Sequence, residues 1–135
     1  MRLALGFGFI LPVFDRLGIL GPSGAEGVAW GAWGNFIAYT QTLVPFVSDS
    51  FVGVVGTFAT VAETVLGICL ILGWKTRIMA ILTAGLTAMF GICMTIFLYP
   101  LAAVSYPVYV FTAAALLLAS IDRYPFSIDF GTKLR

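Results

Sequence analysis

The chain has 135 residues, 61% of them hydrophobic and 10% charged, with a net charge of +1 and a mean hydropathy of +1.07. A soluble domain is about 45–50% apolar and about 25% charged, so this composition excludes an ordinary soluble domain and predicts one all-α integral membrane domain, residues 1–135. There is no basic run to attract nucleic acid, and no histidine, which removes the usual haem, zinc and copper ligand and the commonest general base.

The first apolar segment covers about residues 3–20 and is interrupted by Pro12, Asp15 and Arg16. Arg2 ahead of it resembles the start of a signal peptide. However, Asp15-Arg16 follows the apolar stretch directly, and Gly21-Pro22-Ser23-Gly24-Ala25 is a poor cleavage sequence, so a retained span is expected. Gly21 to Gly24 reads as a turn. Beyond it, Trp30, Trp33, Phe36, Ile37 and Val44 recur at near-helical spacing, while Gly27, Gly31 and Gly34 weaken a regular helix. Segment 27–47 is too short and too polar to cross a bilayer, and its aromatic residues suit the membrane interface. It is expected to cap the bundle from the outer interface. Plain aromatic anchoring, with no ligand contact, is the alternative.

Ser48-Asp49-Ser50 is placed to cap the second span, about 51–74, with Asp49 at the positive end of the helix dipole. Glu63 is the single charge in the middle of that span. A charge at such depth costs about 2.5–3.5 kcal/mol on insertion scales. It therefore requires a cationic partner, a proton or a water-filled cavity. Residues 78 to 121 carry no charge and are too many for one crossing, which takes about 20 residues. Tyr99-Pro100 and Tyr106-Pro107 divide them into a third span, about 78–98, and a fourth, about 102–121, whose start can fall as late as Pro107. The tail, 122–135, alternates Tyr124, Phe126, Ile128 and Phe130 with more polar residues and is expected to anchor on the membrane surface.

With the N-terminus cytoplasmic, Arg2, Lys75, Arg77, Arg123, Lys133 and Arg135 fall on the inner side and only Arg16 on the outer half, the pattern of the positive-inside rule. Depth follows from helix rise. Glu63 stands about 18 Å above Lys75, and Asp15 and Arg16 about 20 Å above Arg2. Arg16 is therefore expected to compensate Glu63, with Asp15 a third member of the cluster or at the interface. Gly56, Ala59, Thr60, Glu63 and Gly67 share one face, which invites a close neighbour. Ala80, Ala84 and Ala88 form a similar packing ridge. Cys69 and Cys93 lie about 9 Å and about 24 Å from the inner end, too far apart in depth for a disulfide. Met79, Met89 and Met94 read as packing residues. No metal site is expected.

The stretch Arg2-Leu-Ala-Leu-Gly6 with Pro12-Val-Phe-Asp-Arg-Leu-Gly18 resembles the first helix of DoxX-like membrane proteins. Ala59-Thr-Val-Ala-Glu63-Thr-Val-Leu-Gly67, followed by Leu70-Ile-Leu-Gly73-Trp-Lys-Thr-Arg77, resembles their second helix and cytoplasmic turn. The resemblance implies a transmembrane four-helix bundle with an extracytoplasmic interfacial segment between spans 1 and 2. It maps the family's acidic residue to Glu63 and its basic position to Arg16. The region of Trp33, Asn35 and Tyr39 resembles a subgroup with a long aromatic first loop.

Three functions compete. The first is a small membrane subunit of quinone-linked oxidoreduction, rather than a complete enzyme. Here Arg16, Glu63 or Tyr39 would hydrogen-bond a quinone headgroup beside Trp30, Trp33 and Phe36. No covalently bound cofactor is expected. The second is a noncatalytic assembly or scaffold subunit. The third is a small-solute or lipid binding or transport protein. Glu63 and Arg16 are the candidate chemical residues, and Asp15, Trp33, Asn35 and Tyr39 the further ligand-binding candidates. The expected surroundings are the lipid bilayer of a bacterial inner membrane, both termini cytoplasmic, with other membrane or peripheral subunits or a homo-oligomer as partners.

Overall fold

The computed structural model describes residues 1–129; Phe130, Lys133 and Arg135 of the expected tail lie outside the described residues. The described chain is helical, with no strand among the described residues. In chain order the helices are α1 (Arg2–Arg16), α2 (Trp33–Leu43), α3 (Asp49–Leu72), α4 (Thr76–Cys93), α5 (Ala102–Ser105) and α6 (Val108–Ser120). A π-helical turn, Met94–Leu98, prolongs α4.

Two stretches, Asp49–Leu72 and Thr76–Leu98, are long and apolar enough to cross a membrane. The expected first and fourth spans are shorter helices. At 1.5 Å per residue, α1 and α6 reach only about 22 Å and about 20 Å, against a hydrocarbon core of about 30 Å. The reason is local. After Arg16, Gly18 turns left-handed (φ 75°), its N–H bonds to the Asp15 carbonyl, and the Ile19 N–H bonds to the Phe14 carbonyl, a Schellman end. On the other side, Tyr106-Pro107 separates α5 from α6. Within α1 the helix runs through Pro12.

The expected helical segment 27–47 also shrinks, to Trp33–Leu43, because Gly27 and Gly31 adopt left-handed backbone that a helix cannot continue. Ser48 stands at the N-cap of α3, but its side chain makes no cap hydrogen bond, contrary to the expected cap.

The long helices pack mainly in two pairs, α1 with α3 and α4 with α6. In the first pair the backbones meet at glycines. A Cβ on Gly6 would stand 3.0 Å from the Gly67 carbonyl oxygen, and one on Gly67 would stand 3.1 Å from that of Gly6. Small residues permit this approach. The two pairs share a core of Leu5, Leu70, Ala80, Ala84, Ala115, Leu118 and Ala119. At one end α2 leans on α3 and on the π turn of α4. Between α1 and α6 an apolar cleft of about 150 Å³ opens beside Leu5 and Phe111.

The opposite end is tied by charged side chains. Arg2 donates to the Leu70 and Ile71 carbonyls at the end of α3, at 2.8 and 2.6 Å, and to the Phe126 carbonyl at 2.6 Å. The Asp129 carboxylate accepts from the Lys75 and Thr76 amides at 2.8 and 2.6 Å. One residue thus neutralises the negative end of α3 and another caps the positive start of α4. Gly73 makes room for Arg2 and Ser127 (φ 72°), since a Cβ there would stand 2.5 Å from the Arg2 guanidinium.

The exterior is apolar on every long helix, as at Phe7, Leu11, Phe58, Val61, Ile81 and Leu117. Asp15, Arg16, Glu63, Thr83 and Thr87 are buried. That is the reverse of the usual soluble distribution.

Candidate functional site

The last turn of α1 carries Asp15 and Arg16, and the middle of α3 carries Thr60 and Glu63 one helical turn apart. Packing of α1 on α3 brings them together. Arg16 Nη2 lies 2.7 Å from Glu63 Oε2. Arg16 is 2% exposed and Glu63 5%. No N–H among the described residues points directly at Oε2, so the contact is one of charge rather than a directed hydrogen bond. Arg16 Nη1 donates to Thr60 Oγ1 at 2.9 Å, and Nε donates back to the Pro12 carbonyl at 3.1 Å. Thr60 in turn donates to the Gly56 carbonyl at 2.8 Å.

Aromatic rings close the site. The Arg16 guanidinium carbon sits 3.9 Å from the centroid of Phe36 and 5.3 Å from that of Trp30, within cation–π range. Trp30 stands edge-on to Phe36, with centroids 5.5 Å apart, and Tyr39 lies 5.8 Å from Trp30. Phe36 reaches the pair because α2 settles on Gly56, where an added Cβ would meet Ile37 and Phe36 at 2.5 and 3.2 Å.

Asp15 does not join the Arg16–Glu63 contact. Its carboxylate turns to the 29–31 backbone. It accepts from the amides of Ala29 (2.8 Å), Trp30 (3.2 Å) and Gly31 (2.9 Å). Three successive N–H groups form a nest around a buried anion. This was invisible in the sequence, because backbone amides carry no residue-type signature. Gly31 suits this turn, since its φ of 64° and a Cβ position 2.3 Å from the Ser23 nitrogen disfavour any side chain.

The other expected ligand residues are set back. Trp33 packs on Phe36 at 5.4 Å. Exposed Asn35 donates to the Trp30 carbonyl at 2.8 Å. Tyr39 touches Trp30 rather than the charges. Burial, then the neighbouring Tyr106 and Tyr99 phenols, push the Tyr39 hydroxyl above its ordinary range. Sequence reasoning missed Thr60 and the Pro12 carbonyl as partners of Arg16.

Chemically, the site is a buried cation next to a carboxylate. A guanidinium has five N–H donors. Pro12 and Thr60 each accept one, and Glu63 lies against Nη2 by charge, so N–H donors remain for another acceptor. Among the described residues no group of three or more cysteines and carboxylates could hold a metal ion, and both Cys69 and Cys93 are free thiols. Comparison of the chain with family models, with curated proteins and with solved structures returned no match.

Proposed function

We propose that this chain is a DoxX-like integral membrane protein and a small membrane subunit of quinone-linked oxidoreduction, in which Arg16 and Glu63 take the quinone headgroup. The four long helical stretches cross the bilayer, with α5 completing the crossing of α6. The termini are cytoplasmic, and α2 with the 17–32 loop lies at the outer interface of a bacterial inner membrane. Apolar side chains all around the exterior, with charges turned inward, support the membrane placement. Exposed Leu17, Ile19 and Leu20 lengthen the apolar reach of short α1.

The observation that carries the quinone reading is the guanidinium with unspent donors beneath Trp30 and Phe36. A quinone carbonyl accepts such N–H bonds, its flat ring suits an aromatic wall, and a neighbouring carboxylate suits proton uptake on reduction. Electrons come from a partner protein. The test is quinone recovered with the protein after mild detergent extraction, and quinone reduction in the presence of the copurifying partner. Wild type should retain quinone, and Arg16→Met should lose it. Retention and reduction both indifferent to Glu63→Gln would remove the proposal.

A scaffold role is the second reading. One observation favours it: the pair joins α1 to α3 while both groups already have protein partners. A copurifying complex whose activity ignores Glu63→Gln and Arg16→Gln would establish it.

A further inference from the structure

We infer that residues 17–32 form a lid over the Arg16–Glu63 pair, latched by Asp15, and that a ligand reaches the pair from the α2 end by displacing Trp30. This rests on reading the pair as a ligand site.

Arg16 and Glu63 are almost wholly buried, so a ligand reaches them only if one wall moves. The α1–α3 wall is fixed by the glycine contact of Gly6 with Gly67. The Phe36 wall belongs to a helix seated on Gly56. The Trp30 wall differs in kind. It stands on a loop outside any helix, and its backbone is held by the Asp15 carboxylate. Elements of this sort, with few regular backbone hydrogen bonds, open at the lowest free energy and commonly serve as closing lids.

The latch and the cation are consecutive residues in the last turn of α1. Asp15 fixes the Trp30 main chain, while Arg16 meets the Trp30 ring. A ligand that competes for Arg16 removes the ring contact that helps hold the lid down. Opening is therefore coupled to occupation. Asp15 acts as a positioning residue: it never touches the ligand but decides whether Trp30 covers it. Gly31 serves the same closure from the other side, because no side chain fits against Ser23.

The test uses the full chain in oriented membranes, with Cys93→Ser removing one thiol and Thr60→Cys reporting on the site. Native Cys69 is buried and serves as a control for general loosening. A membrane-impermeant maleimide is applied to either face. Thr60→Cys should label slowly and only from the α2 face. Asp15→Asn, which weakens charge-assisted hydrogen bonds, should speed this about tenfold, as should Gly31→Ala, while Cys69 stays protected. A rate indifferent to both substitutions, parallel labelling of Cys69, or labelling only from the opposite face would each overturn the lid. Acrylamide quenching of Trp30, with Trp33→Phe and Trp74→Phe, reads the same opening without a new cysteine; quenching unchanged by Asp15→Asn counts against the lid. Quinone retention is scored separately. A lid that responds to Asp15→Asn in a protein that holds no quinone leaves the lid standing and removes the ligand class.

Discussion

Arg16 and Glu63 meet at 2.7 Å across the α1–α3 interface, each shielded from solvent. The contact joins residues 47 positions apart, from the end of one helix and the middle of another. Thr60 and the ring of Phe36 also lie against the guanidinium. The pair therefore does two things at once: it neutralises a charge in an apolar setting and fixes the height of α1 against α3.

Removing one partner leaves the other charge buried and alone. Arg16→Met or Glu63→Leu should each destabilise the protein by about 3–5 kcal/mol, and the double variant by less than either single change. Thermal unfolding in detergent measures this. Additive losses would mean that the two side chains do not depend on each other.

The glycine contact of Gly6 and Gly67 gives a second expectation. A Cβ on Gly67 would meet the Ile10 side chain at 2.9 Å and the Gly6 carbonyl at 3.1 Å. Gly67→Val should force the helices apart, at a cost of about 1–3 kcal/mol. Gly85, whose Cβ position meets nothing within 4 Å, should accept alanine with little change. Equal stability of the two variants would argue against the close crossing.

Asp129 caps α4 from 53 residues away along the chain. Asp129→Ala should cost about 1 kcal/mol, the usual value of a side-chain N-cap. It should also raise amide exchange at Lys75 and Thr76, while the amides of α2 keep their protection. Exchange at Lys75 and Thr76 that stays at the wild-type rate would rule the cap out.

Two phenols outside the long helices supply a pH dependence. Burial raises both Tyr39 and Tyr124; Tyr106 and Tyr99 add to the rise at Tyr39, while Arg77 opposes it at Tyr124. An unperturbed tyrosine titrates near pH ~10. A folded-state value above the unfolded one means that the folded protein holds its proton more tightly. The associated stability is complete below about pH 10 and is lost as pH rises through the folded values. Phenolate absorbance should show a late component that shrinks in Tyr39→Phe. A single transition near pH ~10 for all five tyrosines would contradict it.

Much of the charge cluster was legible because depth is arithmetic. Counting residues from Arg2 and from Lys75 put Arg16 and Glu63 at one height, and the structure brings them into contact. The same counting could not assign Asp15, whose partners are main-chain amides. Trp33, Asn35 and Tyr39 were named from the resemblance to a subgroup with a long aromatic first loop, not from counting. In α2 the inward side is that of Phe36 and Thr40, so Trp33 and Tyr39 fall to either flank of Phe36 and Asn35 faces outward. Helix phase relative to a neighbour depends on packing, and no periodicity within an 11-residue helix reveals it.

From the sequence alone came the helical class, the two long apolar helices, the break at Tyr106-Pro107 and the need of Glu63 for a partner. Each is a property of a local window: hydrophobic length, a missing amide hydrogen or an isolated charge. Only the tertiary structure decided that Phe36 and Trp30 cover Arg16, that Asp15 holds the loop, and that Arg2 and Asp129 cap helices remote from them. These contacts satisfy orphan helix-end groups and buried charges, whose partners are chosen by proximity in the folded chain and not by position along it.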